Sequence, residues 1–565
     1  MNRLAPRLSA FFALASCWLL ATALNLTKAV HVDDAAYLEM ARHIRGHPLH
    51  PFSGTLSWAE HSEPIYHTNQ PPLLFYQHAA VIAVFGEREV PLHAVTSLWT
   101  LAAVVFFYQL ARRAGCEHVI LLTAMFCLGP AFLPSQNLMT DVPTVALWLI
   151  FFWALCADGG ERPGTRRFVI AAVACAAACL TKYVSLVLLP ILVLAAVLDR
   201  SPRAAATVII PIFALLAWSL FNVFDYGGVH LLGRGSSSLH ASVIPRRLAE
   251  WGLCLGAVSP FTVMFVPRLR ANRWTFSLPA VCAVVAAAVF VASRSVWQNL
   301  PLESALKAAF AANGVLLLAV TGAFLLKDLF RRDADGSGTP PRNTVIFAAW
   351  LLGATGVVVA FSPGMAVRHS LCVVPVLLLI GGGGGRRAGG GWVATATALT
   401  AVCGTWFGAS DWVYADVYRQ EARRFYQQFS REGQTLWHVG HWGWQWYADQ
   451  AGMQQYDLRT SQPVAGDRIV VPRLVDKQPL AARHQRQLKL VGQSDVAAPP
   501  VTLVRMMAIG PRGGYGYYAF RIETLPWTFS TGPLEHFDVF EWQGPAEEGS
   551  SRLDDGRSNG FRATR

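Results

Sequence analysis

Residues 91–113 read PLHAVTSLWTLAAVVFFYQLARR. The stretch carries no Lys, Arg, Asp or Glu until its last two residues, and its apolar residues form one continuous run. A run of about 20 such residues crosses a hydrocarbon core about 30 Å thick, so this segment is a transmembrane helix that ends on two arginines. The same pattern recurs along the chain and fixes the fold class.

The chain has 565 residues, 53% hydrophobic and 15% charged, with 32 Phe and 19 Trp. A soluble chain of this size usually carries about 25% charge. The expected spans are roughly 9–29, 91–111, 117–134, 141–157, 167–181, 184–198, 204–224, 250–266, 275–293, 308–326, 344–361, 370–382 and 391–410. Arg3 and Arg7 before the first run place the N-terminus inside, with ATA at 21–23 as a signal-cleavage site in the alternative reading. Alternation then gives the inside loops Arg112/Arg113, Arg162/Arg166/Arg167, Arg200/Arg203, Arg268/Arg270/Arg273, Lys327/Arg331/Arg332/Arg342 and Arg386/Arg387. Each carries at least two cations, as the positive-inside rule expects. Residues 167–198 are read as two short spans hinged near Lys182, because a single span would turn every later basic loop outward. The excess of 47 Lys and Arg over 35 Asp and Glu belongs to these loops. No nucleic-acid partner is implied.

Thirteen spans follow, in a multi-pass cell-membrane protein with a cytoplasmic N-terminus and an extracytoplasmic (in a bacterium, periplasmic) C-terminal part. The expected organisation is a transmembrane domain over 1–410, with a first external loop at 30–90, an external α/β or α+β domain over 411–545, and a disordered polar tail over 546–565. GQTLWHVG, DRIVVP, LKLVG and VTLVRM read as short strands, and HWGWQWYADQAGM as a helix. All ten cysteines precede residue 404, so no disulfides support the external domain.

The external face then collects the loop HVDDAAYLEMARHIRGH (31–47), the turn PSQNLMTDVP (134–143) and the segment VRHS (367–370). Asp33, Asp34 and Asp141 share that side. Adjacent acids at a span boundary are often no more than solvated interfacial residues. Three carboxylates on one face also suit two kinds of chemistry. One is a general base that takes a proton from an attacking hydroxyl, its pKa raised by a like-charged neighbour. The other is a divalent cation, Mg²⁺ or Mn²⁺, held against a phosphate.

The order DDAAYLEMARHI, NQPPLLFYQHAA, MTDVPTVALW, LTKYVSLVLLP and RHSLCVVPVLLL resembles the membrane-embedded glycosyltransferases of the GT-C superfamily. The branch is that of glycosyltransferase family 39, with protein O-mannosyltransferases and the lipid A aminoarabinose transferase. The resemblance covers roughly residues 10–410. It implies an inverting transferase that moves a sugar, hexosyl or pentosyl, from a polyprenyl-phosphate carrier to a hydroxyl or phosphate of a lipid, glycan or protein at the outer face. In that pattern Asp33 matches the catalytic base, Asp34 the second acidic position, and Asp141 the acid opening the fourth span.

Lys182 and Arg368 are the candidates for holding the donor phosphate, since a departing lipid phosphate needs positive charge at the membrane face. A snorkelling lysine at a loop is the bland alternative for Lys182. Tyr66, Asn69 and Gln70 are candidates for sugar hydroxyls. Gln70 stands where the aminoarabinose branch tends to have lysine, which argues against that donor. The Trp-rich stretch 437–447 suits either a glycan platform or strands and helices lying on a membrane surface. A secondary transporter with boundary acids is the alternative function, but no internal repeat supports it. A non-catalytic member of the same fold is the other.

Overall fold

The computed structural model describes residues 4–544 except 59, 69, 159–160, 234–240, 268–276, 297–300, 331–340, 363, 384–388 and 510–515. The tail expected over 546–565 lies outside the described residues, as do Arg3, Arg268, Arg270, Arg273, Arg331, Arg332, Arg386 and Arg387 of the inside loops. The chain is largely helical. Helices Glu89–Arg113, Pro202–Tyr226, Pro301–Leu329 and Arg342–Phe361 are each long and apolar enough to cross a membrane. Shorter apolar helices stand at Leu8–Ala23, Leu73–Phe85, Asp141–Leu155, Tyr183–Leu198 and Leu278–Arg294. Together they make this a multi-pass membrane protein.

Small residues set how closely the helices approach. Helix Ile244–Ala257 crosses Pro301–Leu329 at Gly252, Gly256 and Gly314. A Cβ on Gly256 would stand 2.0 Å from the Phe310 carbonyl oxygen, and one on Gly314 2.2 Å from that of Gly252. Between helices in lipid, where no hydrophobic force favours association, such backbone contact is a main source of packing energy. Aromatic stacking adds to it: Phe152 lies flat on Trp350 with ring centroids 3.8 Å apart.

The run 167–198 does break at Lys182. Helix Thr165–Thr181 stops there, Lys182 is extended (φ −155°), and a 3-10 turn, Tyr183–Val187, leads into helix Leu188–Leu198. The loop expected over 30–90 carries elements of its own. Helix Asp34–Gly46 lies in it, followed by a two-residue hairpin pairing Thr55 with Pro64.

The expected boundary at 410/411 is crossed by one continuous helix, Gly390–Phe429. Beyond it a five-stranded mixed sheet runs in the order Gln454–Gln455, Leu436–His438, Arg468–Pro472, His536–Trp542, Leu488–Asp495. Leu436 pairs in parallel with Arg468, while Arg468 pairs antiparallel with Glu541. The stretch VTLVRM does not join that sheet. Val504–Arg505 instead pairs with Thr528–Phe529 in a separate ribbon. Its place is taken by HFDVFEW, which the sequence reading did not mark as a strand.

The Trp-rich stretch is core. Trp442, Trp444, Trp446 and Tyr447 on helix Trp442–Ala451 are all buried, Trp444 completely, so the glycan-platform reading does not hold for them. This helix docks on the Asp34 helix. Gln445 Nε2 donates to Glu39 Oε1 at 2.8 Å, and the Arg42 guanidinium sits 3.8 Å above the Trp446 ring. The sheet domain also returns to the membrane face through residues 516–529. There the backbone N–H of Val367 donates to Tyr517 O at 3.0 Å, and that of Phe520 to Met365 O at 2.7 Å. Trp527 Nε1 donates to Ala257 O.

Candidate active site

A cavity of about 850 Å³ opens where the Asp34 helix, the start of helix Asp141–Leu155, the Lys182 break and the 3-10 turn Val367–Cys372 meet. Asp33, Gln70, Asp141, Lys182 and Arg368 all line it. These five come from five separate stretches of sequence, and the fold brings them together.

Two ion pairs dominate. Arg368 Nη1 donates to Asp33 Oδ2 at 2.8 Å and also approaches Met139 Sδ at 3.0 Å. Lys182 Nζ donates to Asp141 Oδ1 at 2.6 Å. Each pair is mostly shielded from solvent, with Asp141 at 6% side-chain exposure and Asp33 at 24%. Burial works against the Arg368 charge, but the Asp33 and Asp141 carboxylates outweigh it and hold the guanidinium protonated. Beside it His369 also lines the cavity. Burial, with Lys182 and Arg368 nearby, pushes its imidazole down to about 3, so it is neutral. The remaining wall is mostly apolar, with Tyr37, Trp58, Glu63, His67, Trp148 and Tyr518 among its polar and aromatic members. None of these had been picked out by motif, and Tyr518 comes from the C-terminal segment.

Asp34 does a different job from its neighbour. It is fully buried and lies outside the cavity lining. Its Oδ2 accepts from the His31 backbone N–H at 3.1 Å, closing the turn that precedes the helix, and burial pushes its carboxyl well up. Successive residues at a helix start point about 100° apart, so one aspartate enters the cavity while the next turns back. The structure thus turns Asp34 away from the cavity that Asp33 lines, against the catalytic position expected for it. Tyr66 stands behind the wall, packed on Tyr226 and His230 with centroids 5.2 and 5.6 Å away, and does not line the cavity. Asn69 lies outside the described residues. Gln70 lines the cavity, and its Oε1 is buried with no hydrogen-bond partner.

The three-carboxylate metal site does not assemble. Asp33 and Asp141 each hold a cationic side chain, Asp34 points elsewhere, and no group of three His, Cys, Asp or Glu suited to a metal occurs among the described residues.

No curated protein matches the chain. In structure the chain is similar to ArnT from Cupriavidus metallidurans bound to undecaprenyl phosphate, at 16% identity over 83% of this chain and 93% of that one, with a TM-score of 0.40. It is also similar to the archaeal oligosaccharyltransferase AglB from Archaeoglobus fulgidus in complex with an inhibitory peptide and a dolichol-phosphate. There identity is 14% over 79% of this chain and 64% of that one, with a TM-score of 0.44. Residues 69–224 match the family model described as dolichyl-phosphate-mannose-protein mannosyltransferase. Gln70, Asp141 and Lys182, which line the cavity, all lie within the stretch similar to that family model.

Proposed function

We propose that the protein is an inverting glycosyltransferase that takes a sugar from a polyprenyl-phosphate donor and passes it to an acceptor hydroxyl at the outer membrane face. The observation that carries this reading is the convergence of two carboxylates and two cations, Asp33 with Arg368 and Asp141 with Lys182, in one cavity at the edge of the helices. A family match over 69–224 agrees with it.

The roles follow from the chemistry. The acceptor oxygen attacks the anomeric carbon from the face opposite the phosphate, and Asp33 takes the hydroxyl proton as the new C–O bond forms. The bond from the anomeric carbon to the phosphate oxygen breaks, and its electron pair leaves with the polyprenyl phosphate. Arg368 and Lys182 supply the positive charge that stabilises the leaving group in a site shielded from water. Asp141 holds Lys182 in place through the contact at 2.6 Å. Gln70, with a free acceptor oxygen, suits a sugar hydroxyl. In this reading all thirteen spans are crossed and the cavity faces the extracytoplasmic side.

The experiment is a turnover assay with the purified protein in lipid, offered a panel of polyprenyl-phosphate sugars. Consumption of at least one donor, abolished in Asp33→Asn, is the expected result. Wild-type protein inert towards every donor in the panel would leave the non-catalytic reading standing.

A further inference from the structure

Beneath Asp33 lies a second buried polar cluster that the reaction does not use. Lys28 is completely buried, and its Nζ donates to Pro134 O at 3.0 Å, to Asn137 Oδ1 at 2.6 Å and to Asp411 Oδ2. The other Asp411 oxygen, Oδ1, lies 3.2 Å from His31 Nε2. Tyr518, which also lines the cavity, donates its hydroxyl to Asp411 Oδ2. The rings of Tyr414 and Tyr518 both meet the His31 ring edge-on, at 5.7 and 5.2 Å.

A fully desolvated ion pair is a poor source of stability. Apolar residues of similar volume often do as well, and such pairs are best explained where they fix a registry. The registry here is the chain from Lys28 to Asp34. Val32, immediately before Asp33, sits at φ +47°, a left-handed conformation that is an outlier for a β-branched residue and persists only when its surroundings impose it. The surroundings are on the page. Before Val32, Asp411 holds Lys28 and lies 3.2 Å from the His31 ring, and from beyond Val32 the Asp34 carboxylate reaches back to accept the His31 N–H, closing the turn. Relaxation of Val32 would swing Asp33 out of the cavity.

We propose that Asp411 is a positioning residue: it locks the strained turn that aims Asp33 at the acceptor, and through Tyr518 it makes that aim depend on the C-terminal segment. The inference rests on Asp33 being the base. Asp411 belongs to the helix that leads out to the sheet domain, and Tyr518 to the segment that returns from it. The external domain thus grips the turn from both of its connections.

The test uses full-length protein in lipid and measures kcat, KM for the donor and thermal midpoint. Lys28→Met/Asp411→Leu removes both buried charges together, so neither is left unpaired. It should keep its midpoint and donor KM while kcat falls about 10–100-fold, the scale of a displaced catalytic group. Lys28→Met/Asp411→Asn, which keeps a hydrogen-bonding group opposite His31 and Tyr518, should recover most of that rate. Tyr518→Phe, a milder change, should lower kcat without moving the midpoint. Wild-type kcat in the Leu double variant overturns the proposal. So does a Leu double variant that fails to fold while Tyr518→Phe has wild-type kinetics, because the cluster is then only structural. Asp33→Asn turning over at the wild-type rate would instead remove the base itself, an outcome separate from either.

Discussion

Arg368 reaches back across 335 positions of chain to donate to Asp33 at 2.8 Å. The carboxylate assigned as base is thus neutralised by the guanidinium assigned to the leaving phosphate. The same arrangement repeats one helix away, where Lys182 holds Asp141. In the proposed reaction, a donor phosphate entering the cavity would offer each cation a second anionic partner and loosen its hold on the carboxylate, coupling donor binding to activation of the base.

Asp33→Asn keeps the shape and the hydrogen bond but removes the proton acceptor. Turnover should fall about 10²–10⁴-fold with donor binding retained, since loss of a general base acts on the chemical step. Single-turnover kinetics with bound lipid-linked sugar checks both halves.

Arg368→Ala and Lys182→Ala should each weaken donor binding about 10- to 100-fold, the worth of a charge-assisted hydrogen bond or two. Equilibrium binding of a polyprenyl phosphate to each variant is the measurement. Wild-type affinity in both would place the phosphate elsewhere.

The Glu39–Gln445 contact carries a pH dependence. Burial first, and then the Asp449 charge, push the Glu39 carboxyl from 4.5 up to about 8. The native state thus holds a proton that the unfolded chain gives up near pH 4.5, so this contribution to stability is fully present below that pH. It declines as pH rises and is gone once the folded pKa near 8 is passed. The thermal midpoint should therefore drop between about pH 5 and 8, and Glu39→Gln should flatten that slope.

Trp444 is completely buried between the sheet and its helix. Trp444→Ala should cost roughly 3–5 kcal/mol in the stability of the sheet domain, the usual penalty for emptying an aromatic site. Chemical denaturation followed by the domain's own fluorescence reads it. A glycan-contacting tryptophan would instead lose binding at unchanged stability.

The basic loops make orientation testable. Reporter fusions after residues 160, 335 and 460 should read inside, inside and outside. A cytoplasmic signal at 460 would contradict both the thirteen-span count and the break at Lys182.

What the sequence determined by itself was where the apolar runs begin and end and, through the alternation of the basic loops, that the run 167–198 is broken at Lys182. Hydropathy and loop charge act over one helix length, so they are visible in a window of residues. Lys182 and Arg368 could also be nominated, because charges at the ends of apolar runs are costly unless used, and Asp33, Asp141 and Gln70 by their places in the GT-C pattern. Tertiary structure alone decided which of the two adjacent aspartates enters the cavity. That depends on a turn held by Asp411, 383 positions from Lys28. It alone buried the Trp-rich helix against the Asp34 helix, since an aromatic stretch has the same composition in a core as on a glycan-binding face. The central strand His536–Trp542 and the returning segment 516–529 were not legible for the same reason. Their places are set by partners such as Arg468, Met365 and Ala257, and no local pattern encodes a partner that far along the chain.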